Sequence, residues 1–143
     1  MSRILTGTAR ITGTDDEDWP FPDEHVDRNY PISLVVNETQ GETNIVIDPA
    51  KWGGECRVEL DLTATLIAGG DIRMHAVSRL YEGDSEESQD EEDRKDVTFI
   101  VPRNHKNNLA TTTYAISLRN AGFGGGDHAE IGFGLQNWIV EEA

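Results

Sequence analysis

Apolar and polar residues alternate along most of this chain with a period of two. The clearest run is residues 56–66, where Cys56, Val58, Leu60, Leu62, Ala64 and Leu66 fall on one side and Arg57, Glu59, Asp61, Thr63 and Thr65 on the other. A strand turns successive side chains to opposite faces, so this run reads as a strand with one buried face. Helical spacing would carry the same charges into the core. Weaker versions recur at residues 4–12 (Leu5, Ala9, Ile11), at Ile32, Leu34 and Val36, and at Ile45 and Ile47. They continue at Ile72, Met74, Ala76 and Leu80, at Val97, Phe99 and Val101, at Tyr114, Ile116 and Leu118, and at Ile131, Phe133 and Leu135. In the last of these the later apolar residues, Trp138 and Val140, take the opposite parity, which predicts a bulge near Asn137.

Turn chemistry separates the runs. Gln40-Gly41, Gly53-Gly54, Gly69-Gly70-Asp71 and the glycine-rich stretch 122–127 are breakers. Ala68-Gly69-Gly70-Asp71, between two strong strands, reads as a tight hairpin. No segment carries a helical pattern. Regularly spaced strands without intervening helices predict an all-β chain, here an eight-stranded antiparallel β-sandwich with Greek-key connections, forming one domain over residues 1–143.

Two connections stand out: residues 14–30, TDDEDWPFPDEHVDRNY, and residues 82–96, EGDSEESQDEEDRKD, which together hold more than half of the acidic residues. Both exceed ordinary hairpin loops in length, and long ordered loops tend to be functional. If consecutive strands alternate in direction, the connections after the first, third, fifth and seventh strands share one end. That end then receives both acidic loops, the stretch from Asp48 to Gly54, and the stretch from Gly122 to His128. Crowded carboxylates call for wide hydration or for a cation. Calcium suits such a cluster because it takes six to eight oxygen ligands in flexible geometry, whereas magnesium demands a stricter octahedron. The candidate ligands are Asp16, Asp18 and Asp23 from the first loop and Asp84, Glu86 and Asp90 from the second, with Asp48 and Asp127 completing the shell. Neither loop follows the EF-hand spacing. The layout is similar to that of C2-type domains, which also gather acidic loops at one end of an eight-stranded sandwich; the resemblance is one of architecture, with no shared sequence motif. In the first loop, Trp19 and Phe21 between prolines are expected to pack back onto the sandwich.

The formal net charge of −15 changes the picture further. It opposes association with nucleic acid and anionic lipid and favours cations and basic partners. An acidic, lysine-poor surface also suits a high-salt cytosol, so a purely solvating role for the acids stands beside the calcium reading. The single cysteine, Cys56, lies on an inward position and reads as a core residue. No apolar run approaches the roughly 20 residues of a membrane-spanning helix. Residues 1–13 lack the basic start and apolar block of a secretion signal, which points to the cytoplasm or to a route that leaves the N-terminus intact.

Catalytic signatures are weak. There is no Gly-x-Ser-x-Gly, and the stretch 122–126 lacks the Lys-Ser/Thr of a phosphate-binding loop. His25 and His128 fall at the acidic end without metal-ligand sequence spacing. The expectation is a non-enzymatic module whose acidic end binds Ca2+ and orders a contact surface. The alternative is a structural subunit that self-associates through the sandwich edges or the aromatic loop of Trp19 and Phe21, with the N-terminal segment and the region of Trp138 available for strand exchange between copies and the acids keeping it soluble.

Overall fold

Nine strands carry the alternating pattern in the computed structural model, which describes residues 1–16, 21–104, 110–120 and 126–139. They are β1 (Ser2–Asp15), β2 (Glu24–Asn37), β3 (Glu42–Ile45), β4 (Ala50–Trp52), β5 (Cys56–Leu66), β6 (Ile72–Glu82), β7 (Glu91–Val101), β8 (Thr112–Arg119) and β9 (His128–Ile139). All pairings are antiparallel. One sheet has the order β2-β1-β9-β8; in the other, β3 and β4 both pair with β5, which is followed by β6 and β7. The fold is therefore all-β with two antiparallel sheets, in a sandwich-like arrangement. Leu5, Ile11, Ile131 and Leu135 from the first sheet share one core cluster with Val58, Leu62, Ile72 and Met74 from the second. Phe99 of β7 stacks on Tyr114 of β8 at 4.5 Å between ring centroids and joins the sheets along that edge.

The ninth strand comes from an interruption. β3 pairs with the far part of β5 (Ile45↔Leu62) and β4 with its start (Ala50↔Val58). They form one edge strand broken at 46–49, where Asp48 and Pro49 stand exposed and Pro49 has no amide proton to donate. The Greek key expected from the strand pattern is not found among these pairings. β1 pairs with β2, β8 with β9, and β5, β6 and β7 follow one another in sequence order, while the non-consecutive pair β1·β9 joins the two ends of the chain. The expected acidic loops also shrink, because residues 14–15 belong to β1, 24–30 to β2, and 91–96 to β7. Val26 and Tyr30 carry the inward parity of β2 back to the start of the strand. In β7 the charged residues occupy an edge strand, where water reaches them. Phe21 is 68% exposed, so it does not pack onto the sandwich; Trp19 and Asp18 lie outside the described residues.

No bulge occurs near Asn137. The β1·β9 register runs unbroken from Arg3↔Ile139 to Thr14↔His128, and Asn137 takes the inward position with no exposure at all. Trp138 consequently faces outward, where its Nε1–H donates to Thr6 Oγ1 at 3.2 Å. Parity holds because a polar side chain fills an inward place and finds partners there. Asn137 Nδ2 donates to Gly70 O at 2.8 Å and Val101 O at 3.0 Å, and its Oδ1 accepts from Arg3 Nε at 2.8 Å. Arg3 Nη2 also donates to Asn104 O, and the Asn104 amide to Asn137 O. This buried plug joins β1, β9, the β5–β6 turn and the segment after β7. Within the chain β1 is paired on both sides, with β2 and with β9.

Asn137→Leu leaves two carbonyls and the Arg3 Nε–H buried without their partner. It is expected to lower unfolding free energy by about 3 kcal/mol, read from urea denaturation. Gln136→Leu, one residue away on the outer face, is expected to change it by less than about 1 kcal/mol.

Candidate functional site

The inward parity of four strands continues beyond the apolar core at the end opposite the Asn137 plug. Asp15 follows Ala9, Ile11 and Gly13 in β1; Cys56 opens β5; Glu82 follows Met74, Ala76 and Leu80 in β6; Asp127 precedes Ala129, Ile131 and Phe133 in β9. Asp15 is 2% exposed, Asp127 5% and Cys56 0%. One carboxylate oxygen from each aspartate and the Cys56 sulfur lie within 4.8 Å of one another, the only such group among the described residues. Glu82 stands half-buried beside them, hydrogen-bonded to Asp127 and accepting from Asn120 Nδ2.

Main-chain groups frame this cluster. The Asp16 amide donates to Asp127 Oδ1 at 2.8 Å and so ties the connection after β1 to the one before β9. Gly53, in the β4–β5 turn, has φ +68°, and a Cβ there would lie 2.3 Å from Asp15 Oδ2. Glycine thus serves both the left-handed backbone and the close approach. At Gly126 a Cβ would meet the Asp16 carboxylate at 2.0 Å.

Crowding of acids in a partly dry space shifts their protonation. Burial, then the hydrogen bond with Asp127, raises the Glu82 carboxyl to about 7, against the opposing bond from Asn120. Around neutrality Glu82 therefore keeps its proton for part of the time. The Cys56 thiol is pushed far above its usual range, first by burial and then by the charges of Asp15, Asp127, Glu82 and Glu55. It remains a protonated thiol at neutral pH and is a poor nucleophile.

The ligands selected from sequence are only partly brought together. Asp127 is a member of the cluster and Asp16 adjoins it. Asp23 is exposed on the approach to β2. Asp48 lies at the break between β3 and β4, level with the middle of β5 rather than with the cluster. Asp84, Glu86 and Asp90 belong to the β6–β7 connection, which turns onto the outer face of the second sheet. There Glu86 O accepts from Arg57 Nη1 at 2.6 Å, Glu86 Oε2 accepts from the Gly54 amide at 2.9 Å, and Lys51 pairs with Glu87 at 3.0 Å. Arg57 is buried beneath this connection, its guanidinium 4.2 Å from the Tyr81 ring centroid and its Nε bonded to Glu59. A cation already built into the chain thus anchors that loop.

Sequence reasoning passed over Asp15, Glu82 and Cys56 as site residues. The signal was present: extending each strand's inward parity by one or two steps places all three inside at the same end.

No protein-family model, curated protein or solved structure matches this chain. No helix among the described residues is long and apolar enough to cross a membrane.

The Glu82 shift has a definite sign for stability. Below the ordinary value of 4.5 both folded and unfolded chains hold the proton; between there and about 7 the folded chain holds it more. The contribution of this group to stability therefore falls as pH rises through that window and levels off above it. Glu82→Gln keeps the bonding groups but cannot ionise. Melting temperatures of this variant are expected to vary less than wild type between pH about 5 and about 8, and to exceed wild type at the upper limit. A second expectation concerns Cys56. Native protein at pH about 8 should resist an aromatic disulfide reagent, with stoichiometric reaction appearing only on addition of denaturant.

Proposed function

We propose that the protein is a non-enzymatic calcium-binding module. In this reading the ion enters the acidic end and fixes the surrounding connections as a contact surface for a protein partner. The observation that carries the proposal is the convergence of three carboxylates, Asp15, Glu82 and Asp127, at inward positions of one end. Hard anionic oxygens, supplemented by backbone carbonyls and water, are the ligand type calcium takes. The protonated Cys56 thiol is a neighbour rather than a ligand for this ion. Asp16 contacts Asp127 through its amide, and Asn120 contacts Glu82. Occupancy would therefore engage Asp16, after β1, and Asn120, after β8, through their bonds to the ligands. Because a proton competes at Glu82, calcium affinity is expected to increase as pH rises through about 7.

A second reading, self-association, is favoured by the open edge of the 14-residue strand β2, whose Val35 is 50% exposed. Sedimentation over a concentration series tests it, and a monomer throughout removes it.

The calcium reading is tested by thermal melts in EDTA, then in millimolar calcium, magnesium, or sodium chloride of matched ionic strength. Calcium at about 100 times its dissociation constant is expected to add about 2.7 kcal/mol, a rise of several degrees. Asp127→Asn should abolish the rise. An equal rise in sodium chloride means charge screening and ends the calcium reading in favour of a solvating acidic surface.

A further inference from the structure

The same strand ends present a different set of donors on their outer side. The register pairs Thr14 of β1 with His25 of β2 on one side and with His128 of β9 on the other. Cross-strand partners point to the same face, so the two imidazoles flank Thr14 on the solvent side of the first sheet. Two strand spacings separate their backbones by roughly 9.6 Å, a gap that two imidazoles leaning over Thr14 can span. Glu130 lies two residues beyond His128 and so shares its face, and a cleft of about 290 Å3 is lined by these residues together with Thr12 and Asp27.

Each ring is held through its Nδ1. His128 Nδ1 lies 3.0 Å from Gly126 O, and a carbonyl only accepts, so that nitrogen donates and, in the neutral imidazole, Nε2 is the one with a lone pair. His25 Nδ1 lies 3.1 Å from Thr14 Oγ1, a hydroxyl able to accept the same kind of bond. Imidazoles that ligate metals are ordinarily oriented this way, one nitrogen bonded to a protein oxygen and the other facing the ion. Asp27 is engaged by Arg10 through two hydrogen bonds. Glu130 has no hydrogen bond or ion pair among the described residues, and it lines the same cleft as the two rings.

We propose that His25, His128 and Glu130 form a surface site for a first-row divalent cation of the zinc class. Two nitrogens and one carboxylate are a donor set for zinc, cobalt or nickel rather than for calcium, and a water molecule takes the open position. The backbone places the donors. Their ligand atoms do not lie within 4.8 Å of one another as those of the buried cluster do, so occupancy closes the set by side-chain rotation. The site is separate from the inner carboxylates: Thr14 turns outward where Asp15 turns inward. The proposal therefore does not rest on the calcium reading.

Cobalt(II) is the probe, titrated into untagged protein with and without competing zinc(II). One equivalent is expected to produce visible d–d absorption that zinc abolishes, without the near-ultraviolet band of a cobalt–thiolate bond. His25→Ala and His128→Ala should each weaken binding at least tenfold, and Glu130→Gln should weaken it measurably. Cys56→Ser and Asp127→Asn should leave it unchanged. The histidines are exposed, and melts in EDTA establish that their variants fold. Unchanged binding in both histidine variants overturns the proposal, as does a thiolate band lost in Cys56→Ser, which would put the ion in the buried cluster. Absence of any cobalt absorption at millimolar metal overturns it equally.

Discussion

A β-strand turns alternate side chains inward whatever their chemistry, and the long strands of this chain outrun the apolar core at both ends. β1 and β9 keep one register from Arg3↔Ile139 to Thr14↔His128, so no slip is available to move an awkward residue outside. Polar groups must then occupy inward places at each end, and each must be satisfied there. At one end Asn137 and Arg3 meet this demand with backbone carbonyls. At the other, Asp15, Asp127 and Glu82 meet one another.

The two ends differ in how much freedom that leaves. At the Asn137 end the Asn137 side chain has all its partners within the chain, and Asn104 Nδ2 is the one buried donor there without a partner among the described residues. The carboxylate end has acceptors in excess and draws on amides, on Asn120, and on a retained proton. A group that holds a proton near neutrality is also one that can exchange it for a cation, which links the pH response of the fold to the proposed calcium uptake. Across the same strand ends, His25 and His128 flank Thr14 on the outer face. One strip of backbone therefore offers oxygens inside and nitrogens outside, donors suited to different classes of ion.

The sequence carried the all-β class plainly, because the run Cys56–Leu66 admits no other period. It carried the hairpin at Ala68–Gly70 for the same reason, together with its glycines. Asn137 defeated the pattern: an apolar-only criterion skips a buried asparagine, so Trp138 appeared to switch faces when the strand was regular. β4 was hidden because three residues are too few to display alternation, and its pairing depends on β5. The acidic loops were overextended because charged residues at an edge strand look like loop. The cluster was missed for a related reason. By composition Asp15 and Glu82 read as loop acids, whereas their parity assigns them to the interior. Spacing along the chain does not relate His25 to His128, whereas Thr14, between them in the sheet, does.

The ladder between β1 and β9 has a consequence for synthesis. Most pairings join strands adjacent in sequence, each able to form soon after its second member is made, but Arg3 and Ile139 meet only across nearly the whole described chain. Such distant contacts carry the largest loop-closure cost and form late. During translation β1 and β2 can pair early, yet β1 waits with its other edge open until β9 emerges. An unpaired edge on a nascent hairpin is a template for pairing with the same edge of a neighbouring chain. Arg10, Thr12 and Thr14 along β1, and the charged start of β2, put polar groups beside that edge during the interval. On this view the strong negative charge of the finished protein also acts before it is finished, keeping incomplete chains on neighbouring ribosomes apart.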